Sequence, residues 1–212
     1  MDPQGPGPFQ RKSPAEDGRS PGPPGPGEFF RISWIAYLAL AVLGVFWLGY
    51  AAEGLPLSLF VDLESWWIDV IWGLGAGGLM LGLWSAGRSR LAGMRDLERI
   101  LGLILGRLEP AEVWVLALIS GFSEELFFRG AMQTSFGLPL TVLIFALLHS
   151  GPTPSFRYWT LFAAVAGLLF GLLVIHRGNL LPAIVAHVLV NGVNLRYLSR
   201  SPETAPTSPQ AP

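Results

Sequence analysis

Residues 32–52 contain no charged side chain and few polar ones. At 1.5 Å per residue, a helix over this run crosses the roughly 30 Å hydrocarbon core of a bilayer. Composition fits that solvent: 51% of the residues are hydrophobic and 14% are charged. An ordinary globular domain carries roughly 25% charged residues. Mean hydropathy is +0.47. The chain reads as a membrane protein whose first span is 32–52.

Further apolar stretches cover about 67–86, 111–132, 138–150, 158–175 and 180–197. The sequence therefore predicts an all-α, multi-pass transmembrane bundle of about six spans. In the second, Gly73 with Gly77 and Gly78 with Gly82 make two small-xxx-small pairs suited to close helix packing. Trp66, Trp67 and Trp84 are expected to mark its interfaces. Residues 88–107 alternate charge with Leu91, Met94, Leu97, Leu101 and Leu105 at helical spacing, the pattern of an amphipathic helix lying on the surface.

The ends differ in kind. Residues 1–28 are dense in Pro and Gly, and 201–212 are rich in Pro, Ser and Thr, compositions that cannot bury enough surface to order themselves. Neither the start nor the first apolar run has the layout of a cleavable signal peptide. Between these disordered ends the expected organisation is accessory helices over 29–108 and a core over 109–200.

Arg11, Lys12, Arg19 and Arg31 precede the first span, and Arg88, Arg90, Arg95, Arg99 and Arg107 separate the second from the third. The 53–66 loop and the 133–137 turn carry no Lys or Arg. The positive-inside rule then predicts a protein of the cell (inner) membrane with both termini cytoplasmic, Arg177 in an outer turn being the exception. A net charge of -1 gives no sign of a nucleic-acid partner, and the absence of cysteine removes disulfides and thiolate chemistry.

Against this apolar background stand Glu124-Glu125-x-x-x-Arg129, Phe145-x-x-x-His149 and His187-x-x-x-Asn191. Ionisable groups at membrane depth are costly and mark functional sites by default. Four residues apart on a helix, Glu125 and Arg129 can pair, which leaves Glu124 without an in-helix partner. Counting from the turns near Gly137 and Gly178 puts Glu124 and His149 about 18 to 20 Å from one face, and His187 and Asn191 about 12 to 18 Å. The four groups are expected to share one cavity displaced toward the cytoplasmic side.

A carboxylate and an imidazole sharing one water can generate a nucleophile, and a second imidazole with a carboxamide can stabilise an oxyanion. Neither a G-x-S-x-G elbow nor an H-E-x-x-H helix is present. Taken in order, the three motifs resemble the CAAX prenyl endopeptidase and bacteriocin-processing (CPBP or ABI) family of intramembrane proteases, over roughly residues 109–200. That resemblance implies a glutamate-dependent endopeptidase without an obligatory metal or other cofactor, in which Glu124 and His149 activate water. It further implies that His187 and Asn191 form the oxyanion site, that Glu125 and Arg129 brace the helix, and that Phe145 is the aromatic of the second motif. The expected partner is a membrane protein or lipidated peptide as substrate, within the lipid bilayer.

Other readings stay open on the residues alone. Glu124, His149 and His187 could ligate zinc in a membrane protease. A scaffold or immunity protein, or a proton-coupled transporter, would also place carboxylates in a membrane. His176 is expected to be an interfacial polar residue, and Ser120, Ser123 and Asn194 to serve packing or hydrogen bonding.

Overall fold

The computed structural model describes residues 27–51 and 55–200; the expected disordered ends at 1–28 and 201–212 lie outside it except for residues 27 and 28. Among the described residues the secondary structure is helical throughout. In chain order the helices are α1 (Glu28–Ala51), α2 (Leu57–Phe60), α3 (Trp66–Arg90), α4 (Ala92–Leu105) and α5 (Pro110–Glu124). A π-helical segment, Glu125–Met132, follows α5 directly, and then come α6 (Gln133–Phe136), α7 (Leu138–Leu148), α8 (Phe156–Arg177) and α9 (Leu181–Leu198).

Four of these, α1, α3, α8 and α9, are long and apolar enough to cross a membrane. The other two expected crossings differ in physical character. The continuous helical run over 110–136 is about 40 Å long by its rise, but it carries Glu112, Glu124, Glu125 and Arg129. Helix α7 has 11 residues and rises only about 16 Å. It stops at His149, short of a full crossing.

Helix boundaries follow local chemistry. Pro110, Pro139 and Pro182 sit in the first turns of α5, α7 and α9, where a missing N–H costs nothing. Glu109 and Glu112 close a capping box on α5, with the Glu109 N–H donating to Glu112 at 2.8 Å. Gly137 and Gly178 take positive φ at the turns that end α6 and α8.

The two turns lie at one end of the bundle. There Asp69 of α3 is fully buried and accepts hydrogen bonds from Arg177 and from Asn179 (2.9 Å), while Arg177 also donates to Ser65 at 2.8 Å. This accounts for the one arginine that departs from the positive-inside pattern, because its charge is spent on a buried carboxylate. His176 lies edge-on to Trp72 at the same end, with ring centroids 5.6 Å apart.

At the opposite end α4 lies across the bundle, and its environment differs from the expectation. Met94, Leu97, Leu101 and Leu105 are buried against Trp84, Phe156 and Leu198, so protein rather than lipid covers the apolar face. Trp84 is likewise not an interface marker: it is 6% exposed and donates its indole N–H to Glu98 at 2.8 Å. Trp66 and Trp67 are exposed, as interface positions require.

The glycines of α3 divide in the same way. A Cβ at Gly73 would meet the Pro182 carbonyl oxygen at 2.6 Å, and one at Gly77 the Leu189 side chain at 3.0 Å, so this pair permits the α3–α9 crossing. Gly78 and Gly82 face open space, and the second small-xxx-small pair packs against nothing among the described residues.

Candidate active site

The α5–α9 crossing decides where the ionisable groups meet. A Cβ at Gly121 would come within 2.7 Å of the Val188 side chain. Only a residue without a side chain lets α9 approach that closely, and the approach carries His187 to the C-terminal end of α5. There Glu124 is the last α-helical residue and Glu125 the first of the π segment. π-helical turns inside α-helices occur frequently at functional sites, and a local change of hydrogen bonding alters the direction of successive side chains.

The result is one imidazole between two adjacent carboxylates. His187 Nδ1 lies 2.6 Å from Glu125 Oε1, and its Nε2 lies 3.8 Å from Glu124 Oε2. A carboxylate only accepts, so Nδ1 carries the proton donated to Glu125. Glu125 also accepts from Arg129 Nη1 at 2.9 Å, and both side chains are almost wholly removed from solvent. The Arg129 guanidinium stands over the Phe145 ring at 4.4 Å and reaches the Gly167 carbonyl. The buried charge is thereby offset by a carboxylate, an aromatic face and a backbone dipole.

His149 ends α7. Its Nδ1 is 2.7 Å from the Phe145 carbonyl, an acceptor, so the proton again sits on Nδ1. In the neutral ring Nε2 then presents a lone pair, and it faces Glu124 Oε2 at 3.9 Å. Phe145 packs under this imidazole at a centroid distance of 4.4 Å, and Trp159 meets it edge-on at 5.5 Å. The His149 carbonyl accepts from Thr160 at 3.2 Å, which sets the histidine level with the second turn of α8.

Glu124 Oε2 is buried and has no hydrogen-bond partner among the described residues, although two imidazole nitrogens face it. Asn191, one turn beyond His187, donates to Ser120 on α5 at 2.9 Å. Glu124, His149, His187, Asn191 and Ser120 all border one cavity of about 220 Å³ toward the α4 end of the bundle. Apart from this polar patch its walls are mainly apolar, with Trp84, Leu105, Phe162 and Leu198 among them.

The structure therefore brings Glu124, His149, His187 and Asn191 to a single cavity and sets Glu125, Arg129 and Phe145 behind them. The residues of a zinc reading meet at one carboxylate oxygen. Among the described residues, however, no group of three or more His, Asp or Glu side chains is arranged to hold a metal ion. Sequence reasoning missed the contribution of α1, whose Phe29, Ser33 and Tyr37 line the same cavity. The available signal was two hydroxyl groups four residues apart in an otherwise apolar span.

Residues 106–193 match the family described as type II CAAX prenyl endopeptidase Rce1-like. The uncharacterized protein YpbD of Bacillus subtilis (strain 168) is 41% identical over 83 residues, which is 37% of this chain and 41% of that protein. The chain thus spans about two fifths of the length of this curated relative. No solved structure matches it.

Proposed function

We propose, because residues 106–193 match the Rce1-like family of type II CAAX prenyl endopeptidases, that this membrane protein is an endopeptidase that hydrolyses a peptide bond with an activated water. The observation that carries the reading is the buried Glu124 Oε2, free of hydrogen bonds from the described residues and flanked by His149 Nε2 at 3.9 Å and His187 Nε2 at 3.8 Å. A general base needs an accessible lone pair within reach of the proton it takes, and this oxygen has one.

Glu124 takes a proton from water while the His149 Nε2 lone pair accepts a hydrogen bond from the remaining O–H and orients the nucleophile. The water oxygen then adds to the carbonyl carbon. The developing oxyanion falls to Asn191, through its second amide hydrogen, and to His187. Because Nδ1 of His187 already donates to Glu125, Nε2 can donate only when the ring is the imidazolium. Two neighbouring carboxylates suit that form. Glu124 finally returns its proton to the leaving nitrogen, the C–N bond breaks, and a carboxylic acid and an amine result.

The apolar cavity walls suit a hydrophobic residue or a lipidated stretch of a membrane-associated peptide. The arginine-rich end on which the cavity lies corresponds to the cytoplasmic side of the cell membrane under the positive-inside rule. The test is a comparison of new peptide termini in membranes from cells making the wild type or Glu124→Gln. Termini generated only by the wild type support the reading, and identical sets contradict it.

A further inference from the structure

Helix α1 lies outside the 106–193 stretch of the family match, yet it supplies one wall of the cavity. Phe29, Ser33 and Tyr37 recur at four-residue intervals, so they share a helical face, and all three border the cavity that holds Glu124. Much of the rest of α1 points away from the protein, with Ile35 at 64% and Phe46 at 74% exposure.

A helix in lipid gains nothing from turning a phenol inward unless the hydroxyl finds a partner, since an unpaired buried hydroxyl is costly. Tyr37 lines the same cavity as Glu124, which makes the Glu124 carboxylate a partner open to its hydroxyl. The histidines do not fix that carboxylate, because both stand beyond hydrogen-bond distance of Oε2. On its own helix, Arg129 is committed to Glu125. Helix α1 packs on α5 and on the π segment, with Gly44 against Leu126 and Phe127, and this fixes the height of Tyr37 beside Glu124.

We infer that Tyr37 is a positioning residue of the site: its O–H donates to the Glu124 carboxylate and holds Oε2 turned toward His149 and His187. The inference rests on the reading of Glu124 as the base. No covalent step involves the phenol. A carboxylate that loses this donor rotates more freely and spends less time aligned with the water, which lowers turnover rather than binding.

The experiment uses the full chain in lipid nanodiscs. The probe is a quenched fluorescent peptide built on the cleavage site that distinguishes wild-type from Glu124→Gln membranes. Tyr37→Phe keeps the ring and removes one oxygen. The expected result is a fall in kcat of about tenfold or more, the scale of one hydrogen bond to a charged group, with KM within about twofold and thermal stability unchanged. Trp34→Phe, on a part-exposed side of the same helix, should leave all three at wild-type values. A wild-type kcat for Tyr37→Phe overturns the inference, as does a loss of rate that a loss of thermal stability accompanies. If Glu124→Gln is inactive while Tyr37→Phe is normal, the inference fails and the reading of Glu124 as the base stands; if Glu124→Gln itself cleaves normally, that reading fails.

Discussion

Glu125 anchors His187 across two helices, accepting the Nδ1 proton at 2.6 Å while holding Arg129 at 2.9 Å with the same Oε1. One carboxylate oxygen thus neutralises a buried guanidinium and fixes the tautomer and rotation of a ring whose other nitrogen faces Glu124. The burial of Arg129 and the placement of His187 are mechanically linked.

Glu125→Gln should therefore do two kinds of damage. Leaving Arg129 as an uncompensated buried charge costs about 3 to 5 kcal/mol, which is checked as a drop in thermal stability and yield in detergent. Turnover of the surviving folded protein should also fall, because the Nδ1 proton of His187 loses its charged acceptor. A stable, fully active variant would show that the pair is incidental.

Asn191 and Ser120 separate contact with substrate from support. Asn191→Ala removes the donor proposed for the oxyanion and should lower kcat by about 10² to 10³ with a smaller change in KM. Ser120→Ala removes only the acceptor that orients the carboxamide, and its loss should be roughly tenfold, on the scale of a single neutral hydrogen bond. Measured kinetics with the order reversed would mean that Ser120, not Asn191, faces the reacting carbonyl.

His149 and Glu124 are assigned to the same water, and groups that act as a unit are not additive. His149→Ala should approach the loss caused by Glu124→Gln, and the double variant should be little worse than either. Residual rates that multiply would assign the two residues to separate steps.

Much of this arrangement was legible in the sequence because lipid makes polar residues conspicuous. The Glu124-Glu125, His149 and His187 motifs stood out against apolar neighbours, and four-residue spacing placed Arg129 beneath Glu125. What remained hidden depends on contacts between distant segments. The π segment after Glu124 is a choice of hydrogen-bonding pattern with no composition signal, and it lies where the two adjacent glutamates reach one imidazole. Trp84 reads as an interface residue until Glu98 on another helix supplies a partner for its N–H. Arg177 reads as a misplaced charge until Asp69, far away in sequence, neutralises it. Gly77 and Gly78 are neighbours of equal local character, and only the path of α9 decides which is used.

The orientation has its own test. The chain has no cysteine, so single-cysteine variants need no background changes, and Ser58 and Ser89 are exposed at opposite ends of the bundle. In intact cells an impermeant maleimide should label Ser58→Cys and spare Ser89→Cys until the membrane is opened. The reverse pattern would invert the topology.

The central claim is that the Glu124 carboxylate is the base that activates water. Its most direct test is the turnover of purified Glu124→Gln in nanodiscs, with thermal stability as a check of folding, on the peptide identified from membrane termini. Gln keeps the shape and loses the basic oxygen, so turnover should disappear while the protein remains folded. Normal cleavage by a folded Glu124→Gln protein would contradict the account.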